Sequence, residues 1–266
     1  MKVACSTTGY TGLPLEDALQ NIRELGFGFV DLLMMENWAH INPSELVSDP
    51  VSKAERVAEM LRANGLMAVA INGNLSGPLN STDPERQESN RAELKALAVF
   101  AENIGIPIIV LQPGRIDPNL GVERSRDASV NTLRNLVKLA EGHKRLLAIE
   151  THVHSVAEEY EDALRIVEAV PGLKLAYDPS HFVMKELNLA DSEPLIDHSV
   201  HVHLRNAVAG DFQAEMDEGI LDFDWVLSAL RRHGYQDYIS IEYIDRRGDY
   251  DIKEQITKLK RIIEAA

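Results

Sequence analysis

The chain has 266 residues, of which 27 are Lys or Arg and 42 are Asp or Glu, so its formal net charge is −15. Nucleic-acid binding depends on cationic side chains, so this charge predicts no nucleic-acid partner and favours a small, neutral or weakly charged substrate. The single cysteine cannot form an internal disulfide, and the sequence has no signal-peptide-like start. No apolar run reaches the roughly 18–20 residues of a membrane span. We therefore expect a cytoplasmic protein without a membrane partner.

Short aliphatic runs alternate with amphipathic, helix-period segments about eight times along the chain. The aliphatic runs are brief and apolar, as parallel strands buried on both faces are, and they are Val3–Cys5, Phe29–Leu33, Met67–Asn72, Ile108–Gln112, Leu146–Glu150, Leu173–Tyr177, Val200–Leu204 and Ile239–Tyr243. The helical segments are Pro14–Leu25, Val51–Ala63, Pro84–Asn103, Arg124–Gly142, Val156–Glu168, Glu186–Leu195, Asp222–His233 and Asp251–Ala265. A glycine followed by an apolar residue suits the end of four helices, at Gly26, Gly65, Gly105 and Gly234.

The repeat predicts one barrel. Eight units in 266 residues leave about 33 residues per unit, close to the spacing of a (β/α)₈ TIM barrel. An open doubly wound sheet would carry a Gly-rich phosphate loop after an early strand, and none is present. Because no linker divides the chain, we predict an α/β fold in which residues 1–266 form a single (β/α)₈ domain.

The last four predicted strands end in side chains that can bind a metal: Glu150, Asp178, His203 and Glu242. Functional side chains of such barrels gather at the carboxyl ends of the strands. Converging carboxylates repel one another, and a divalent cation neutralises them. Three carboxylates with one imidazole predict one divalent ion: Mn²⁺, Co²⁺, Mg²⁺ or Zn²⁺.

Each of these residues also has an ordinary structural interpretation. A glutamate at a strand end is commonly a salt-bridge or capping residue, and an aspartate before proline commonly forms a turn. His201 and His203 share one face of their strand, so one of them could be a core histidine. Their occurrence in register on four successive strands is what favours a site.

At these positions the sequence resembles the xylose isomerase-like TIM-barrel superfamily, and especially its sugar-phosphate isomerase/epimerase group. The matching elements are Ile149-Glu150 with His152, Asp178-Pro179-Ser180-His181, His201-Val202-His203-Leu204 and Ser240-Ile241-Glu242. The resemblance covers nearly the whole chain and assigns the metal, with Mn²⁺ favoured, to Glu150, Asp178, His203 and Glu242. The histidine of the group opens a His-x-x-Asp run, but here Asn206 replaces the aspartate. His201 is then a supporting or core residue.

The resemblance implies a metal-dependent isomerase or epimerase that removes a proton α to a carbonyl of a sugar-like substrate through an enediolate. It gives Glu150 and Glu242 the role of catalytic carboxylates on opposite sides of the substrate. It makes His181 and Arg205 candidates to bind substrate oxygens, although Arg205 stands where many relatives carry lysine. His152 would orient Glu150 or contact the substrate; its alternative is an ordinary polar loop residue.

Two substrate-binding candidates lie in the first half of the chain. Trp38, in the loop 36–40, could form an aromatic pocket wall. Arg115 could contact a carboxylate or phosphate group, or form a surface salt bridge instead.

Three other functions compete with the isomerase. A dehydratase of the dehydroshikimate or inosose type begins with the same proton removal and then expels a hydroxyl. An apurinic endonuclease of this superfamily needs further histidines after strands three and four, where this chain has Asn72-Gly73-Asn74 and Gln112-Pro113-Gly114. A non-catalytic sugar-binding barrel is the third. Homo-oligomers are common in the group, so self-association is also expected.

Overall fold

A computed structural model describes residues 1–38, 40–246 and 248–266. Eight parallel strands form a closed barrel in chain order. They are β1 (Lys2–Ser6), β2 (Phe29–Met34), β3 (Met67–Gly73), β4 (Ile108–Leu111), β5 (Leu146–Glu150), β6 (Lys174–Tyr177), β7 (Ser199–Leu204) and β8 (Tyr238–Ile241). The barrel closes where β1 pairs with β8, from Lys2 opposite Tyr238 to Cys5 opposite Ile241. The predicted (β/α)₈ fold is therefore confirmed.

Helices connect the strands along the outside of the barrel. They are α1 (Leu15–Glu24), α2 (Pro43–Leu46), α3 (Pro50–Ala63), α4 (Pro84–Ile104), α5 (Gly121–Gly142), α6 (Tyr160–Ala169), α7 (Pro179–Met184), α8 (Phe223–Arg232) and α9 (Ile252–Ala265). Two 3₁₀ helices lie at Thr7–Tyr10 and Leu189–His198. Gly105 ends α4 with φ +89°, and its N–H donates to the carbonyl of Ala101. Among the described residues, each helix is too short or too polar to span a lipid bilayer.

The helix predicted at Glu186–Leu195 is wrong. The chain instead forms the short helix α7 directly after β6, and then a 3₁₀ helix that contains Pro194. Asp178 caps α7, because its side chain accepts from the Ser180 N–H, and Pro179 suits the first turn. This early start fixes the direction of the Asp178 carboxylate at the strand end.

Strand alternation separates an outer core from the barrel interior. On β5, Leu147 and Ile149 belong to the large hydrophobic core beneath the helices, while Ala148 belongs to a separate small cluster. That interior cluster consists of Ala70, Ile108, Val110, Ala148 and Ala176. Since successive side chains of a strand point to opposite faces, Glu150 lies on the same inward face as Ala148. The small interior residues leave room for polar side chains within the barrel.

Candidate functional site

Four buried side chains converge at the carboxyl ends of β5 to β8. Glu150, Asp178, His203 and Glu242 each offer a nitrogen or oxygen atom, and these atoms all lie within 4.8 Å of one another. His203 Nδ1 is 2.7 Å from Glu150 Oε1 and 3.4 Å from Glu242 Oε2. The structure therefore brings together the whole predicted ligand set. Three carboxylates and one imidazole in a buried cluster fit a divalent cation, which offsets the cost of burying the negative charges.

Arg205 joins two of these carboxylates from one side. Its Nη2 donates to Asp178 Oδ2 at 2.6 Å, and its Nη1 donates to Glu242 Oε2 at 2.7 Å. The guanidinium is buried, and Nη2 also lies 3.2 Å from His181 Nε2. Arg205 thus braces the carboxylates, a role that its prediction as a substrate-binding residue did not include.

Replacing Arg205 with Met is expected to lower the free energy of unfolding by about 3–5 kcal/mol, since two buried carboxylates lose their partner. Urea denaturation of the metal-free protein measures this change. The control is Arg246→Met, which breaks the ion pair between Arg246 and Asp211. These side chains are 28% and 39% exposed, respectively. Such a surface pair contributes about 0–1 kcal/mol. Equal losses in the two variants would contradict the buried role of Arg205.

Two residues that the sequence analysis did not select also contact the cluster. Asn72, at the end of β3, donates a hydrogen bond from Nδ2 to Glu242 Oε1. Asp31, within β2, accepts from His203 Nε2 at 3.0 Å. The one sequence signal for Asp31 is its charge inside an otherwise apolar strand, because a buried charge is costly unless it is paired.

The pKa values of Glu150 and Glu242 are shifted in opposite directions. Burial raises the pKa of Glu242 to about 7; the nearby His203 and Arg205 only partly oppose this, and the carboxylates of Glu150 and Asp178 add to it. Burial acts in the same direction on Glu150, but the hydrogen bond and charge of His203 outweigh it and lower the pKa to about 2. In the metal-free protein, Glu242 is thus poised to exchange a proton near neutral pH while Glu150 is ionised.

The pKa values of His203 and His181 are also shifted in opposite directions. Burial works to lower the pKa of His203, but Glu242, Asp31 and Glu150 outweigh it and raise that pKa well above the usual value. Burial, together with His152 and Arg205, lowers the pKa of His181 well below the usual value. Metal-free His203 is therefore cationic and His181 neutral near pH 7.

His181 lies against His152 beside the cluster. The two ring centroids are 4.3 Å apart, and the ring centroid of Phe212 lies 5.3 Å from that of His181. His181 Nδ1 is buried and has no hydrogen-bond partner in the described part of the chain. His152 Nδ1 faces the carbonyl of Val153 at 2.7 Å. The structure thus places both predicted substrate-binding histidines at the cluster, with one ring nitrogen of His181 unused.

Asn206, which replaces the aspartate of the His-x-x-Asp run, organises the loop after β7. Its Oδ1 accepts from the N–H groups of Ala207 and Leu221, and its Nδ2 donates to the carbonyls of Glu215 and Met216. An aspartate could not make the two donor contacts. Gly219 leaves space for this amide, because a Cβ there would lie 2.0 Å from Asn206 Cγ.

The other two predicted substrate-binding residues have exposed side chains. Trp38 is 41% exposed, and its neighbour Ala39 lies outside the described residues. Arg115 is exposed, while its backbone exchanges two hydrogen bonds with the Asn80 amide. Their proposed contacts with substrate stay predictions.

The family comparison agrees with this fold. Residues 19–263 match the family model described as "Xylose isomerase-like TIM barrel". The chain belongs to this family. The match confirms the resemblance inferred from the sequence motifs.

The curated relatives include isomerases. The chain is 22% identical to an inosose isomerase of Bacillus velezensis, with 86% of this chain and 82% of the relative covered. It is 23% identical to a 2-oxo-tetronate isomerase of Pectobacterium atrosepticum, with 89% of both chains covered. These relatives support the prediction of an enzyme of the isomerase/epimerase type.

Many solved structures share the fold. A D-tagatose 3-epimerase-like protein has a TM-score of 0.81 at 19% identity, and the match covers 100% of this chain and 98% of that protein's chain. The IOLI protein with a zinc atom has a TM-score of 0.76 at 20% identity, with 100% and 99% covered. The probable 3-DHS dehydratase AsbF of Bacillus anthracis has a TM-score of 0.76 at 19% identity, with 99% of both chains covered.

Proposed function

We propose that the protein is a divalent-metal-dependent isomerase or epimerase that moves a proton at the carbon next to the carbonyl of a sugar-like substrate. The observation that carries this proposal is the buried pair of Glu150 and Glu242, which flank His203 Nδ1 and differ in proton affinity. General acid–base catalysis works best when the pKa of the catalytic group lies near the operating pH. In the metal-free protein, Glu242 meets that condition.

The four converging side chains would hold the metal. Glu150, Asp178, His203 and Glu242 supply three oxygen ligands and one nitrogen ligand, a set for which we favour Mn²⁺ over Co²⁺, Mg²⁺ or Zn²⁺. When bound there, a divalent ion would supply Lewis-acid polarisation of a substrate carbonyl. The zinc atom named with the IOLI protein supports a divalent ion on this fold.

The protein's own groups then divide the work. Glu150 ends β5 and Glu242 directly follows β8. In the proposed reaction one of them, ionised, takes the proton from carbon, and the other, protonated beforehand, gives its proton to the opposite face. Proton exchange with water then resets the pair, and the two roles can be held in either order. His181 and Arg205 stabilise negative charge on the substrate oxygens as an enediolate forms. His152 holds the His181 ring in place by packing against it.

The names of the relatives support one class of substrate. Inosose, 2-oxo-tetronate and D-tagatose appear in their names. We therefore propose a polyhydroxylated carbonyl compound, with Trp38 and Arg115 at the outer edge of its pocket. The predicted cytoplasmic location, the predicted self-association and the predicted absence of a nucleic-acid partner stay predictions.

Solvent exchange at carbon tests the proposed function. When the Mn²⁺-loaded protein acts on ketoses, aldoses and inososes in D₂O, we expect deuterium to appear at the carbon α to the carbonyl, which NMR detects after the metal is removed. The control is the double variant Glu150→Gln/Glu242→Gln, in which both proton carriers are lost. Loss of water with a new conjugated chromophore would instead assign the dehydratase alternative, which the AsbF neighbour favours. Neither exchange nor turnover across the panel would overturn the proposal.

A further inference from the structure

A second polar cluster lies inside the barrel, behind the candidate metal ligands. It consists of Asp31 of β2 with His201 and His203 of β7, all fully buried. Asp31 Oδ2 is 2.9 Å from His201 Nε2 and 3.0 Å from His203 Nε2. The two imidazole rings are 5.0 Å apart and nearly perpendicular, at 89°. One carboxylate oxygen is therefore shared between two histidines.

This sharing fixes which nitrogen of His203 carries a proton when its imidazole is neutral. An ionised carboxylate only accepts hydrogen bonds, so the Nε2 atoms of both histidines must be the donors. A neutral imidazole has one N–H, and His203 Nδ1 then holds the free lone pair. That Nδ1 atom is the one that faces Glu150 and Glu242.

We propose that Asp31 is a positioning residue that holds His203 with its proton on Nε2 and its Nδ1 lone pair aimed at the metal. This inference rests on the metal site of the proposed function. A carboxylate that accepts from the remote nitrogen of a metal-binding histidine fixes the ring and makes the ligand more basic. His201 acts through Asp31, because its Nε2–H holds the same oxygen from the other side.

The surroundings of Asp31 argue against a purely structural role. Asp31 Oδ1 and His201 Nδ1 are buried without a hydrogen-bond partner in the described part of the chain. Burying such groups is costly, while other interior positions of the barrel hold alanine or valine, such as Ala148 and Val110. The register of β2 against β3 also shifts between Val30 and Asp31. Because this arrangement is costly and the strand is irregular here, a role in orienting His203 explains Asp31 better than a role in packing the barrel interior.

Metal affinity of two variants tests this role. Asp31→Asn keeps the shape and removes the charge, whereas Asp31→Ala removes the acceptor altogether. We expect Mn²⁺ affinity, measured by calorimetry, to fall about 10-fold for the first variant and up to about 100-fold for the second. The control is Ser240→Ala, which removes another buried polar atom without a hydrogen-bond partner in the described chain. Its Mn²⁺ affinity should stay within about twofold of wild type, because it touches no ligand through a hydrogen bond.

A spectroscopic readout separates positioning from general destabilisation. In the Zn²⁺-loaded, ¹⁵N-histidine-labelled protein, the His203 signals, assigned with His203→Gln, should show a proton on Nε2. The Nε2–H signal should shift in Asp31→Asn and exchange faster in Asp31→Ala. Wild-type affinity in both variants, or a proton on Nδ1 of metal-loaded His203, would overturn the inference alone. A wild-type protein that binds no divalent metal would overturn the inference and the proposed function together.

Discussion

Glu242→Gln is expected to lower kcat by about 10²–10⁴-fold, the range that one general acid–base group contributes. The amide of glutamine cannot take up a proton from carbon, and it cannot accept from Asn72 and Arg205 with two oxygens as the carboxylate does. Steady-state turnover on the substrate found by solvent exchange measures this loss. Metal content by elemental analysis must accompany it, because Glu242 is also a proposed ligand.

Two controls separate the proton carrier from its surroundings. Glu218→Gln removes the same charge from an exposed position and should leave kcat unchanged. If Glu150 and Glu242 serve opposite faces of the substrate, Glu242→Gln should still exchange deuterium into one epimer and Glu150→Gln into the other. Unchanged turnover in metal-replete Glu242→Gln would remove this residue from the mechanism.

The strands and the residues of the candidate metal site could be predicted because both depend on local rules. Buried parallel strands are short and apolar, and the carboxyl ends of the strands meet at one edge of the barrel. The sequence alone places three residues at that edge, and no knowledge of side-chain packing is needed: Glu150, Asp178 and Glu242. The glycines at helix ends follow from backbone sterics, and Gly26, Gly65, Gly105 and Gly234 all have positive φ.

The remaining features depend on contacts between distant strands. Asp31 and His201 are 170 positions apart in sequence, and so are Asn72 and Glu242. Which interior residues face each other depends on barrel closure and on register shifts, such as the one between Leu175 and Ala176 against β7. No short sequence pattern indicates these register shifts or the contacts that result from them. The short helix α7 was missed for a different reason, because its six residues are too few to show a helical period.

Removal of the divalent ion is expected to abolish turnover and to lower the melting temperature by about 10 °C. A ligand present at 1,000 times its Kd stabilises the folded state by about 4.1 kcal/mol. In a chain of this size, each kcal/mol shifts the melting temperature by about 2–4 °C. Chelation followed by calorimetry measures the loss, and addition of Mn²⁺ should restore both properties.

The size of this shift should depend on pH, because protons and the metal compete for the same ligands. The pKa of Glu242 rises from its ordinary 4.5 to about 7 in the folded protein. The folded state therefore binds this proton more tightly than the unfolded state, and the metal-free protein loses stability as pH rises through that range. Metal should then stabilise more at pH 8 than at pH 6, and Glu150→Gln, which lacks one carboxylate ligand, should show a smaller shift at both. Full turnover by a chelated protein holding far less than one ion per chain would contradict the metal requirement, whatever its melting temperature.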